Sequence, residues 1–131
     1  MSHHREPVTA PGAPEAAGPY VHAVRAGGLL FCSMQISLDP DSGELVGDDA
    51  PSQLRRCLDN LQAVAETAGA SLVDDAVRLT LYATDMSAFA PVNEAYAAFF
   101  GDAPPARAAI GVTALPRGAQ IAVDAVVAIP E

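Results

Sequence analysis

A single arginine heads the apolar run Pro104-Pro105-Ala106-Arg107-Ala108-Ala109-Ile110-Gly111-Val112. A guanidinium stays charged at physiological pH and is costly to bury without an anion. An arginine fixed behind a proline pair at the mouth of a strand therefore calls for a carboxylate or a phosphate. Two partners meet that demand: an acid of the chain itself, which would make Arg107 a structural ion-pair residue at the core edge, or a bound ligand. Other reactive side chains are sparse. His22 is the one histidine beyond His3 and His4, and a lone histidine in a strand reads as structural. Cys32 and Cys57 belong to no CxxC or Cys/His ligand spacing; they read as buried, reduced thiols that pack as small apolar side chains.

The elements that must position Arg107 follow from periodicity. Residues 1 to 19, rich in Pro, Ala and Gly, lack a period and are expected to run as an ordered or half-ordered arm ending in Ala17-Gly18-Pro19-Tyr20. Val21 to Arg25 and Leu29 to Ser33 read as a hairpin around Gly27-Gly28, a pair suited to the positive φ that tight hairpins require. Asp39-Pro40-Asp41-Ser42-Gly43-Glu44 is a turn cluster, with Gly43 its left-handed residue. From Pro51 to Ala68 the residues Leu54, Cys57, Leu58, Leu61, Val64, Ala65 and Ala68 recur at three and four, the signature of a helix face. Asp49 is its N-cap, Pro51 sits in its first turn and Gly69 closes it.

Ala76 to Ala83 alternates as a strand, with Val77, Leu79 and Leu81 on one face and Arg78, Thr80 and Tyr82 on the other. A second helix carries Phe89, Val92, Tyr96 and Phe99 on one stripe and ends before Gly101. Arg107 to Thr113 and Gln120 to Ile129 are two further strands, joined through Leu115-Pro116-Arg117-Gly118. The order ββ-α-β-α-ββ predicts an α+β fold with both helices on one face of a mixed sheet. The last strand is apolar on both faces: Ile121, Val123, Ala125, Val127 and Ile129 point one way, Ala122, Val126 and Ala128 the other. Two helices cover only one sheet face, so a closed homo-oligomer is expected to cover the second.

With 131 residues the chain is expected to form a single domain over 1–131. Seven basic against sixteen acidic side chains give a net charge of −9, which repels phosphodiester backbones and argues against nucleic acid as a partner. The polar start has no apolar h-region of a secretory leader, and no window approaches a membrane span. A cytoplasmic protein without a membrane partner is expected.

Several of these segments share one order and spacing. Gly18-Pro19-Tyr20, Cys32-Ser33-Met34-Gln35-Ile36, Asp39-Pro40-Asp41-Ser42-Gly43-Glu44-Leu45, Gln53, Leu58-Asp59-Asn60-Leu61, Val92-Asn93-Glu94-Ala95-Tyr96, Pro105-Ala106-Arg107 and Leu115-Pro116-Arg117-Gly118 together resemble the Rid (YjgF-like) family of reactive intermediate deaminases. The resemblance implies a chorismate-mutase-like α+β subunit, a homotrimer with clefts between neighbouring subunits, and hydrolysis of 2-imino and enamine acids to 2-oxo acids and ammonia. No cofactor and no metal are implied. It makes Arg107 the anchor of the substrate carboxylate and places Tyr20, Ser33, Asn93 and Ala109 at the substrate. Three keep a plainer reading: a packed strand-edge ring for Tyr20, a small residue in a tight strand for Ser33, a structural amide bonding backbone across the subunit interface for Asn93. Ala109 stands where deaminating members typically carry Cys.

Two departures bear on activity. Ala122 occupies the place of a glutamate that deaminating relatives use to hold water, and Met34 replaces a glycine after the strand serine. Asp124 shares a strand face with Ala122 and either substitutes through water or pairs with a basic residue. Three functions follow as expectations: an imine or enamine deaminase, a trimeric protein that binds small carboxylate metabolites without turnover, and, opposed by the acidic charge, an endoribonuclease or translation inhibitor.

Overall fold

Period-two alternation becomes a mixed sheet in the computed structural model, which describes residues 4–131; Met1 to His3, the beginning of the expected arm, lie outside the described residues. The strands are β1 (Glu6–Val8), β2 (Ala23–Ala26), β3 (Leu29–Gln35), β4 (Ala76–Ala83), β5 (Ala106–Gly111) and β6 (Ile121–Ala128). They lie in the order β1-β2-β3-β6-β4-β5, antiparallel throughout except for the parallel pair β4 and β5. The β2–β3 hairpin turns on Gly27 and Gly28, with φ of 58° and 81°. Both central residues of such a turn need positive φ, which glycine alone adopts without strain.

Helix α1 (Ala50–Thr67) starts as its sequence dictates: the Asp49 carboxylate accepts the Ser52 N–H at 2.9 Å. Its apolar stripe is driven fully inside, with Leu54, Leu58, Leu61 and Val64 at 0% exposure. Each such side chain contributes about 1.5–3 kcal/mol of transfer free energy. A four-residue helix α2 (Leu72–Asp75), capped by Ser71, precedes β4. Helix α3 (Phe89–Phe100) buries Val92, Ala95, Tyr96 and Phe100 and provides the crossover between the parallel strands. The core lies between these helices and one sheet face, where Leu30, Leu79, Leu81, Val123 and Val127 stand. The opposite face has no helix on it and leaves Phe31 and Ile110 each 46% exposed.

Three expectations need correction. The arm is not free of structure, because Glu6–Val8 pairs with β2 in the register Glu6↔Arg25, Pro7↔Val24, Val8↔Ala23; Pro7 is tolerated because β1 is an edge strand. β5 and β6 follow one another in sequence yet are not neighbours, since β4 lies between them. Val77 does not share the burial of Leu79 and Leu81: the β4–β6 register shifts between Ala76 and Arg78, and Val77 is 46% exposed. Both cysteines are free and buried, as expected. Burial, reinforced by the Asp124 charge, pushes the Cys32 thiol up to about 12, and burial also raises Cys57. Among the described residues no helix is long and apolar enough to cross a membrane.

Candidate active site

Strand β3 ends in a distortion that builds one wall of a recess. Its pairing with β6 steps from Cys32↔Ala125 to Gln35↔Val123, so Ser33 and Met34 together stand opposite Asp124. Such a bulge bends the strand and re-aims the side chains it carries. Ser33 is tied down on both sides: its N–H donates to the His22 carbonyl at 2.9 Å and its hydroxyl to the Val21 carbonyl at 2.6 Å. With the hydroxyl proton committed, the Ser33 oxygen is left as an acceptor.

The recess beside this bulge has a volume of about 270 Å³, with Tyr20, Ser33, Met34, Ile36, Leu38 and Pro116 on its walls. The arm closes another side through Pro14, Glu15 and Ala17. Tyr20, 47% exposed, is held in a tight turn: its N–H donates to the Gly18 carbonyl and its hydroxyl accepts the Ala17 N–H. A Cβ at Gly18 would stand 3.3 Å from the Tyr20 ring, a tight contact that glycine avoids. On the far rim Arg117 is the one non-glycine residue with positive φ among the described residues, at 59°. Its guanidinium donates to the Gly43 carbonyl at 3.0 Å and so holds the turn.

Two buried amides of α1 support these walls. Asn60 donates to the carbonyls of Leu38, at 3.0 Å, and Ile36, while its oxygen accepts from Arg56. Gln53 accepts the Gln120 N–H at 2.8 Å and donates to the Gly47 carbonyl. Neither role was read from the sequence. The available signal was polar residues beside buried apolar ones on a helix whose inner face is otherwise aliphatic, because buried amides must find partners.

Arg107 occupies a different part of the molecule. On β5 it points to the helix side, where Phe89, Asn93 and Tyr96 recur along α3 at four and three residues. Its Nη1 donates to the Asn93 oxygen at 2.8 Å, and its Cζ lies 4.9 Å from the Tyr96 ring centroid and 5.7 Å from that of Phe89. These contacts are an amide oxygen and two ring faces, none of them an anion, so they orient the guanidinium without neutralising it. The ion-pair reading of Arg107 is thereby corrected. The Asn93 oxygen serves the guanidinium. Tyr96 is buried, its hydroxyl finds no hydrogen-bond partner among the described residues, and burial raises its pKa against the opposing pull of Arg107.

Asp124 accepts from the Tyr82 hydroxyl at 2.8 Å, a correction to the expected basic partner. That bond, with a contribution from burial, raises the Tyr82 phenol. Ala122, in register with Tyr82, has 0% exposure and presents no group to the recess. The five residues expected at the site thus fall into two sets. Tyr20 and Ser33 meet at the recess; Arg107 and Asn93 meet on the β5 edge, where Ala109 follows in register with Leu81. Arg107 stands in line with Leu79, Ala125 and Cys32 across the sheet. Three strand spacings, about 14 Å, therefore separate the two sets within one chain.

Comparison with known proteins agrees on family and fold. The sequence family described as Endoribonuclease L-PSP matches residues 10–129. A RutC family protein of Pyrococcus horikoshii is 42% identical over 122 residues, covering 93% of this chain and 96% of that protein. The 2-iminobutanoate/2-iminopropanoate deaminase of Escherichia coli is 40% identical over 117 residues, covering 87% and 90%. The crystal structure of the YjgF gene product of E. coli superposes with a TM-score of 0.88 at 36% identity, over 94% of this chain and 98% of that one.

Proposed function

The chain belongs to the Endoribonuclease L-PSP family, also known as the Rid or YjgF family, and from that premise we propose that it hydrolyses 2-imino and enamine acids to 2-oxo acids and ammonia in a homotrimer. The observation that carries the reading is Arg107, a guanidinium fixed by an amide and two rings with no anion among these contacts. A planar fork held in this way suits bidentate capture of a carboxylate. Assembly of subunits brings Arg107 of one subunit to the recess of the next, so that the carboxylate sits on Arg107 and the side chain lies against Tyr20 and Met34.

The chemistry asks little of the protein beyond positioning. Water adds its oxygen to the imine carbon and a proton passes to the nitrogen, giving a carbinolamine. A second proton then reaches the amine nitrogen, the C–N bond breaks with its electron pair leaving on ammonia, and the hydroxyl gives up the balancing proton to water as the C=O forms. Ser33 oxygen can accept a hydrogen bond from the attacking water. β6 supplies no carboxylate at position 122, so protonation relies on the basicity of the imine nitrogen itself.

The test is a coupled assay in which an amino-acid oxidase generates imines in the presence of semicarbazide. A deaminase lowers semicarbazone yield in proportion to its concentration; no effect on any imine tested would reject the reading. A second reading, carboxylate binding without turnover, is favoured by the buried Ala122 and by Met34 in the recess. It predicts binding of 2-oxo acids with no change in semicarbazone yield. RNA cleavage has little support. The net charge is −9, and His22 is buried with both ring nitrogens bonded to backbone, so it cannot reach a bound RNA. We expect no RNA binding in moderate salt by filter retention.

A further inference from the structure

His22 lies behind the recess, bonded to one residue of its arm wall and one of its strand wall, and lines a neighbouring cavity. Its ring is 4% exposed. The Ala10 N–H can only donate, so Nδ1 accepts it, at 2.8 Å; the Pro14 carbonyl can only accept, so Nε2 donates to it, at 2.7 Å. These two partners specify the neutral ring protonated on Nε2. Through its own carbonyl His22 also accepts the N–H of Ser33, the first residue of the bulge. One residue thereby joins the arm wall, Pro14 to Ala17, to the strand wall, Ser33 and Met34. The clamped stretch is packed rather than draped: Ala10 and Ala13 are 1% and 5% exposed, and the Ala13 N–H donates to the Ala10 carbonyl.

We infer that His22 is a positioning residue, which in its neutral form latches the arm against the sheet and thereby sets the width of the recess between the arm and Met34. Protonation would turn Nδ1 into a donor facing the Ala10 N–H, leaving two donors opposed and a charge buried without an acceptor. The titratable groups lining the space beside the ring are Glu15 and Tyr20, both from the arm and the turn that ends it. β3 presents the Ser33 N–H and hydroxyl, and the following loop presents Pro40, flanked by Asp39 and Asp41; the Asp39 carboxylate is occupied by the N–H groups of Asp41 and Ser42. Neither ring bond goes to any of these acids. Only the released arm accommodates the charged ring, so proton uptake and a closed recess oppose each other.

The effect on ligand rests on the function proposed above, whereas the latch itself does not. Two readouts keep them apart: hydrogen exchange of the arm, corrected for intrinsic rates, and the Kd for pyruvate by calorimetry, both between pH 5.5 and 8. In the natural protein, protection of the arm and affinity for pyruvate should fall together as pH is lowered from 8 to 5.5, because the two ring bonds hold only in the neutral form. His22→Gln keeps one donor and one acceptor but does not titrate, so it should hold both flat with pH. His22→Ala should leave the arm exchanging at every pH and raise Kd about tenfold, a loss on the scale of one hydrogen bond to a buried group. Arm protection that is independent of pH in the natural protein, or that is equally low in His22→Gln and His22→Ala, overturns the latch. An arm that opens with no change in Kd overturns its role at the recess. Absence of pyruvate binding at every pH counts against the proposed function, and arm exchange then decides the latch alone.

Discussion

Arg107 was legible from sequence as a charged residue heading an apolar strand that calls for an anion, from the chain or from a ligand; it is exposed, so water solvates its charge while Asn93 and two rings orient the fork. What the sequence could not assign was the identity of those partners, because they come from a helix stripe that reads equally well as core. Arg107→Ala should abolish calorimetric binding of pyruvate while leaving the circular dichroism spectrum and Tm almost unchanged; unfolding instead would mean that the stacked guanidinium is structural. Arg107→Lys should restore only part of the affinity, since an ammonium lacks the planar fork. Position 122 poses the reverse problem, a group that is absent. Ala122 is fully enclosed beside Tyr82, so Ala122→Glu alone should lower Tm through burial of a carboxylate. Combined with Met34→Gly, which opens the neighbouring bulge, it should raise imine hydrolysis about tenfold over Met34→Gly alone, within the range of positioned acid–base groups. A folded double variant with an unchanged rate would show that the attacking water is held elsewhere.

Elements whose pattern lies within one segment were read well, and those decided between segments were not. Helix α1 has its stripe, its cap and its proline in consecutive residues, and it forms within a residue of the expected bounds. The Asp49 cap makes a pH-dependent prediction. Its carboxyl accepts from Ser52 and is held below the ordinary aspartate value of 3.8. Because the folded value is the lower one, the stabilisation is complete above 3.8 and is lost as pH falls through the folded value. Asp49→Ala should therefore lower Tm at pH 7, with the difference from the natural protein shrinking below pH 3.8; a gap that persists in acid would place the effect in backbone propensity instead. Strand β1 escaped the sequence because three residues containing Pro7 carry no period, and only the free edge of β2 makes them a strand. The bulge at Ser33 and Met34 escaped it as well. Its cause is the registration of β3 against β6, a partner about ninety residues away in sequence.

At the scale of the whole molecule, sheet order decides how much of the site one chain can hold. The recess lies at the end of β3 and Arg107 on β5, with β6 and β4 between them. A substrate whose carboxylate is bonded directly to the imine carbon cannot span the separation of about 14 Å given by three strand spacings. The uncovered face, with Phe31 and Ile110 each 46% exposed, offers the surface through which a second copy could bring its own Arg107. Light scattering should then give about 40 kDa, three times the 13.4 kDa chain, since closed symmetric assembly is the common way to bury such a face. A mixing experiment tests the shared site more sharply. Arg107→Ala lacks the anchor and Met34→Trp fills the recess, so each variant alone should be inactive. Refolded together in equal amounts, random trimers pair an intact recess with an intact Arg107 at about one site in four. Recovery of about a quarter of the natural activity is the expected result. No recovery in mixed trimers, with both variants folded and assembled, would mean that each chain completes its own site and that the path from Arg107 to the recess runs within one subunit.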